Sequence, residues 1–311
     1  MAVLSIRDLC VSFKTPLGKV MAADRFSLDL EDGETLALVG ETGCGKSVVA
    51  SSVLGLLPGN AHVTGEILFH GIDLRKLDEK EISRIRGNEI SLVFQNPALA
   101  LNPVRKIGEQ VAEPLQVHQR ISKRISLERA ERMLKRMGLC SECRSYPFQL
   151  SGGMNQRAMV AASAISTPRV IIADEPSKGL DSQMAREIMD ELAKALKQSG
   201  SSLLLITHDL SMARRVSDRL AIMYCGEIVE LGETDEIFED PVHPYTKALL
   251  DCLPDRGFCP IAGTSPSMTN PPQGCKFHPR CPRKNDRCLQ RPEMNEHEGG
   301  SKERRVRCWL C

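Results

Sequence analysis

Gly40-Glu41-Thr42-Gly43-Cys44-Gly45-Lys46-Ser47 decides how this sequence folds. The stretch follows a strand-sized apolar run, Thr35–Val39, and precedes a small-residue segment from Ser47 that suits a helix. Strand, glycine loop and helix in that order open a P-loop α/β unit. The glycines let successive backbone N–H groups turn inward, and the helix N-terminus adds a potential that favours phosphate. In this pattern Lys46 reaches the β- and γ-phosphates of a nucleotide and the Ser47 hydroxyl ligates Mg²⁺. Cys44 reads as a small tolerated side chain whose thiol is open to alkylation.

Outward from the loop, residues 1–39 are β-rich, with alternation in Val3–Phe13 and Phe26–Leu30 and a Glu31-Asp32-Gly33 turn. Residues 61–75 look like a β-hairpin, and Ile90–Phe94 reads as a short buried strand. From Ile107 to Leu139 the chain is helical, with Leu127, Ala130, Leu134 and Met137 at three- and four-residue steps behind a Ser126 N-cap. Val170–Ala173, Leu203–Ile206 and Arg219–Tyr224 are further strands, separated by helices such as Met184–Lys197, so the sheet is expected to be mostly parallel. The strand Val170–Ala173 ends in Asp174-Glu175. Alone, such an acidic pair is usually a solvated turn or a helix cap. Downstream of a P-loop, Asp174 is expected to hold Mg²⁺ through its water shell and Glu175 to polarise the attacking water as general base.

Leu150-Ser151-Gly152-Gly153-Met154, shortly before that acidic strand, resembles the signature sequence of ABC cassettes. A serine hydroxyl and glycine N–H groups at a helix start form a second anion site, suited to a γ-phosphate presented by another subunit. Three single residues match the family by their order. Gln95 stands where the Q-loop glutamine contacts Mg²⁺ or the lytic water. His208 stands where the switch histidine contacts the γ-phosphate, and Asp181 where the D-loop aspartate joins the two active sites. An aromatic upstream of the P-loop stacks on adenine in such cassettes; Phe13 is the nearest candidate, and a strand-core role suits it equally. The resemblance implies an α/β fold: an ABC nucleotide-binding domain over residues 1–253, with a β-subdomain and a helical subdomain at about 100–160. A small cysteine-rich extension follows at 254–311.

Within the family the chain resembles the oligopeptide, dipeptide and nickel importer subgroup. Leu101-Asn102-Pro103, Ser151 to Arg157 and His243-Pro244-Tyr245-Thr246-Lys247-Ala248-Leu249-Leu250 carry that likeness. Two departures stand out: Asn155 where arginine is commoner, and Lys178-Gly179 where threonine and alanine are. The resemblance implies an ATP-hydrolysing importer subunit that works with a second cassette, identical or paralogous, and two permease subunits. An extracytoplasmic solute-binding protein acts indirectly.

The tail differs in composition. Of the 12 cysteines, seven fall from Cys252 onward, and residues 255–311 carry eleven Lys/Arg against six Asp/Glu. Pro260, Pro266, Pro271 and Pro272 mark a linker over Pro254–Gln273. Cys275, Cys281, Cys288 and Cys308 resemble the extension of dipeptide-importer cassettes that carries a 4Fe-4S cluster, for which four thiolates are the usual ligand set. Cys311 is an alternative to Cys308 as the fourth ligand. Structural zinc and unmetallated packing remain as alternatives, although Cys275, Cys281, Cys288 and Cys308 contain among themselves no close Cys pair of the zinc type.

Composition bounds the rest. A net charge of +1 gives no reason to expect nucleic acid as a partner. No apolar run approaches the ~18–20 residues of a membrane helix, and Arg7 and Asp8 interrupt the start where a signal peptide needs an apolar core. The expected location is peripheral, on the cytoplasmic face of the cell membrane. Two other readings are a soluble ABC ATPase of repair or translation type and a metal- or redox-sensing regulatory ATPase. The first needs a coiled-coil insertion or a tandem cassette, neither of which is present. The second needs no intact acidic pair, signature and switch histidine together.

Overall fold

The structure, a computed structural model, describes every residue except Leu17, Gly299, Gly300, Lys302, Glu303 and Cys311, and the side chains of Ala195 and Gln198. The chain opens with β1 (Ala2–Thr15), β2 (Gly18–Glu31), β3 (Thr35–Val39), α1 (Lys46–Val53), β4 (Ala61–Phe69) and β5 (Ile72–Asp73). It continues through α2 (Glu79–Ile85), β6 (Ile90–Val93), α3 (Pro97–Ala100), α4 (Ile107–Gln119), α5 (Lys123–Arg136) and α6 (Gly152–Ala164). Then come β7 (Val170–Asp174), α7 (Ser182–Ser199), β8 (Ser202–Thr207), α8 (Leu210–Val216), β9 (Arg219–Tyr224) and β10 (Glu227–Glu233). The last elements are α9 (Thr234–Glu239), α10 (Pro244–Asp251), β11 (Asn295–Glu296) and β12 (Arg305–Val306). Two compact units interleave along the sequence: residues 1–3, 30–34 and 76–205 form the first, and 4–29, 35–75 and 206–311 the second.

In the first unit β6 and β7 run parallel with Val93 opposite Ala173, and β8 follows β7 in strand order. Every residue of β7 and β8 is buried, as strands covered on both faces require. Phe94, expected to end the buried strand β6, instead lies beyond it and is exposed. Helix α4 packs on α5 and α6, burying Val111, Leu115, Ala130 and Leu134. The break between α4 and α5 falls at Arg120, which takes a left-handed φ of 54°. Helix α5 then begins behind Ser122, which corrects the N-cap expected at Ser126. Ser126 sits inside the first turns, fully buried, where its Oγ donates to the Lys123 carbonyl and accepts from Gln116 Nε2. Apolar spacing cannot tell a capping serine from an internal one whose hydroxyl finds partners.

The second unit holds an antiparallel sheet in the order β2-β1-β4-β5, and a further run of strands in the order β11-β12-β10-β9-β3. Strand β3 is parallel to β9 with Val39 opposite Ile222. Strand β10 pairs β9 on one side and β12 on the other, with Val306 opposite Glu230. Sequence periodicity missed β10 because Glu227 and Glu230 fall where apolar residues are expected. Both are buried, at 2% and 0% exposure, and both are ion-paired.

Those ion pairs account for the basic tail. Lys276 Nζ meets Asp24 at 2.7 Å and Glu227 at 3.3 Å, and Arg291 Nε meets Glu227 at 2.9 Å. Arg304 meets Glu230 at 2.9 Å and Glu236 at 3.3 Å. The Glu230 carboxylate also accepts the Val242 and His243 N–H groups. The positive excess of the tail is therefore matched by acids on β2, β10 and α9. Removing one partner of a buried pair leaves the other charge uncompensated. Arg304→Ala is expected to cost about 3–5 kcal/mol, read by chemical denaturation with the single Trp309 as fluorophore. Its indole donates to the Gln290 carbonyl. An unchanged midpoint would refute the pairing argument.

Candidate active site

In the second unit the P-loop leaves β3 at its carboxyl end, the usual place for a ligand in an open α/β sheet. Gly45, at φ 110°, forms the N-cap of α1 and abuts the Ala22 carbonyl, and Gly40 abuts the Met223 carbonyl. A Cβ at either position would collide with backbone, so these two glycines are fixed by close packing as well as by the turn. Lys46 is buried, with Nζ donating to the carbonyls of Gly40 at 2.7 Å and Glu41 at 3.1 Å. Thr42, Gly43 and Ser47 are exposed, available to a phosphate and its metal. Cys44 is buried, and burial pushes its thiol up from the ordinary range; its Sγ lies 3.8 Å from Lys46 Nζ. That overturns the expectation of a thiol open to alkylation, since the reactive thiolate is disfavoured and covered. Phe13 is half-buried on β1, opposite Ala61 of β4.

Glu41 is the point where several elements meet. Its N–H donates to Tyr245 Oη at 3.1 Å, and its carbonyl accepts from Cys44 N and Lys46 Nζ. Its carboxylate takes both a guanidinium N–H from Arg280, at 3.0 and 3.1 Å, and the Ser265 hydroxyl. Tyr245 follows from the His243-Pro244-Tyr245 motif: His243 caps α10 by accepting the Tyr245 N–H at Nδ1, 3.0 Å away. Full burial holds that imidazole neutral, with its pKa lowered to about 3. The sequence marked this motif only as a family likeness, and Arg280 and Ser265 not at all.

In the first unit the Val93–Ala173 register sets Gln95 and the Asp174-Glu175 pair at the carboxyl ends of neighbouring parallel strands, Asp174 being the last residue of β7. Gln95 is exposed, while Asp174 and Glu175 are each 6% exposed. Glu175 adopts a left-handed φ of 49°. A non-glycine residue there costs roughly 1–3 kcal/mol, and such strain concentrates at functional sites. Ser151 caps α6 by accepting the Met154 N–H at 3.3 Å, and with Gly152 it is exposed at the start of a thirteen-residue helix. Gly153 faces Leu180, and a Cβ would crowd that side chain. Asn155 is buried and donates to the carbonyls of Pro147 and Leu150, steadying the turn that leads into Ser151. Asp181 caps α7, its carboxylate accepting from Gln183 N and Met184 N. In the second unit His208 is exposed beyond β8, beside Asp209, which caps α8.

Among the described residues no three His, Cys, Asp or Glu side chains converge on a point that could hold a metal ion. That does not meet the expectation of a formed ligand set at Cys275, Cys281, Cys288 and Cys308; Cys311 lies outside the described residues. Burial raises the Cys275 pKa to about 11, and Cys288, Cys308 and Cys281 each add to the rise. Cys281 is also raised by burial, with Cys308 and Cys288 contributing. Cys275 N–H donates to the Cys288 carbonyl, and Gly274, at φ 74°, abuts the Cys288 and Leu289 carbonyls.

The family model described as ABC transporter matches residues 23–178, and that described as the oligopeptide/dipeptide transporter C-terminal region matches residues 229–288. The dipeptide transport ATP-binding protein DppD of Bacillus subtilis (strain 168) is 43% identical over 290 residues, covering 90% of this chain and 87% of that protein. The oligopeptide transport ATP-binding protein OppD of Escherichia coli (strain K12) is 36% identical over 307 residues, covering 96% and 91%. A solved ATP-binding cassette, described as a dimer in a post-hydrolysis state bound to ADP and Pi, superimposes with a TM-score of 0.69 at 28% identity. It covers 74% of this chain and 98% of that one.

Proposed function

The chain belongs to the ABC transporter family of ATP-binding proteins, and from that premise we propose that it is the ATP-hydrolysing subunit of a dipeptide or oligopeptide importer. The P-loop built on β3, with Lys46 buried against its own carbonyls, is the observation that carries the reading. Residues 1–253 are the cassette in this reading, with its helical subdomain at about 100–160, and 254–311 the extension. Relatives named for dipeptide and oligopeptide transport favour peptide over nickel as cargo.

ATP binds with its phosphates on the N–H groups of residues 40–47 and on Lys46, Phe13 offering a face to adenine. Ser47, Asp174 and Gln95 have the donor chemistry to hold Mg²⁺, which would neutralise phosphate charge. Glu175 orients and deprotonates the attacking water, and His208 contacts the γ-phosphate. Ser151, Gly152 and Gly153 present a helix start to the nucleotide of a partner cassette, and Asp181 lies along that dimer contact. The dimeric state of the solved cassette supports this sandwich.

The exposed apolar side chains Phe94, Leu99 and Val104 follow β6 around Gln95 and suit contact with a membrane permease. No described helix is long and apolar enough to cross a membrane. A peripheral subunit on the cytoplasmic face fits both facts. The solute-binding protein would act through the permeases.

The tail's Cys275, Cys281, Cys288 and Cys308 supply the four thiolates that a 4Fe-4S cluster usually takes as ligands. Anaerobically purified protein is expected to contain about four iron and four sulfide per chain, with broad absorbance near the visible blue. Stoichiometric zinc without iron would overturn the cluster and leave the ATPase reading intact.

A further inference from the structure

We propose that Arg280, in the cysteine-rich tail, is a positioning residue for ATP binding that acts through Glu41 of the P-loop. It rests on the ATP-binding reading above and adds to it a role for the tail.

Glu41 is the second residue of the phosphate loop, and its main chain is part of the loop's working geometry. Its carbonyl is one of the two oxygens that hold Lys46 Nζ, at 3.1 Å, and it also receives Cys44 N–H at 3.2 Å. The orientation of that peptide therefore sets both the turn of the loop and the resting place of the lysine. The side chain is gripped from the tail: Arg280 Nη1 reaches both carboxylate oxygens, at 3.0 and 3.1 Å, and the Ser265 hydroxyl donates to one of them.

Arg280 is itself held firmly. Its side chain is 7% exposed, its Nη1 donates to Tyr224 Oη at 3.3 Å and its Nε to the Ala262 carbonyl at 3.0 Å. The guanidinium carbon lies 5.9 Å from the Tyr224 ring centre and 6.0 Å from that of Phe277, within cation–π range. Directly after Lys276, whose ammonium is pinned between Asp24 and Glu227, Phe277 to Arg280 has little freedom to drift: Phe277 is 1% exposed and its carbonyl accepts the Arg280 N–H. A part-buried, charge-assisted contact of this kind is among the stronger hydrogen bonds a protein makes. Its location ties the tail to the loop that receives phosphate, rather than to a surface remote from it.

The arrangement differs from a purely structural ion pair in what it predicts. If Arg280 acts through Glu41, removing either partner weakens nucleotide binding, and removing both does no further harm. The full-length chain would be titrated with Mg²⁺ and a fluorescent N-methylanthraniloyl ATP, comparing wild type, Arg280→Gln, Glu41→Gln, the double variant and Arg280→Lys. Each Gln single is expected to raise Kd about tenfold, in line with loss of a hydrogen bond to a charged group. The double variant is expected to show the same tenfold, with Arg280→Lys between wild type and Arg280→Gln and kcat of the two Arg280 single variants at saturating ATP within about twofold of wild type. A double effect equal to the product of the singles overturns the proposal, as does a lowered thermal midpoint with unchanged Kd. If Arg280→Gln does not fold, Glu41→Gln decides alone: unchanged affinity overturns the proposal. A wild-type chain that binds no nucleotide contradicts the ATPase reading itself, which separates the two failures.

Discussion

Glu175→Gln is expected to lower ATP hydrolysis by about 10²–10⁴-fold, the range a positioned general base contributes, while Mg²⁺-ATP affinity stays within about twofold. The two effects separate because the residue has one task. Strand β7 is buried along its whole length and delivers Asp174 and Glu175 at its carboxyl end, each 6% exposed. The left-handed φ of 49° at Glu175 turns the chain sharply there. Glutamine keeps the shape and a carbonyl oxygen that can still orient water, but it cannot take the proton. Phosphate release at saturating ATP reads the loss, and equilibrium nucleotide binding reads what is kept. Near-normal turnover would remove Glu175 from the role of base.

Lys46→Ala is expected to weaken Mg²⁺-ATP binding by roughly a hundredfold or more, since several charge-assisted contacts to phosphate are lost together. The buried ammonium sits on the carbonyls of Gly40 and Glu41, which orient it without neutralising it. A phosphate arriving on the loop supplies the opposite charge, so the lysine contributes more to the complex than to the free protein. Alanine leaves Gly40 and Gly45 in their close packing against Met223 and Ala22, and the fold should persist. Thermal denaturation with and without nucleotide checks both halves: a similar midpoint without ATP, and no rise on adding it. A rise equal to that of the wild type would contradict the phosphate role.

What the sequence disclosed follows from which features are local. The P-loop, the strand ending in Asp174-Glu175 and the Ser151 cap are short contiguous patterns, and each sits on the element its pattern requires. Strand β10 was hidden because Glu227 and Glu230 occupy buried positions, satisfied by Lys276, Arg291 and Arg304 from residues far along the chain. The tail's positive excess was the one visible sign of those partners, and composition alone could not say which acids they meet. The contact between Arg280 and Glu41 spans 239 residues of sequence and left no local trace. Ser126 shows the reverse error: a polar residue at the edge of an apolar pattern read as a boundary, when its hydroxyl is satisfied inside the helix.

The most direct test of a peptide importer driven by this cassette is uptake in proteoliposomes holding the chain with its co-purified membrane subunits, ATP on the cassette side and a binding protein with labelled dipeptide on the other. Wild type should accumulate dipeptide in proportion to ATP hydrolysed, and Glu175→Gln should accumulate none. Dipeptide uptake unchanged by Glu175→Gln, or ATP hydrolysis by the wild-type assembly with no dipeptide movement, would contradict the account.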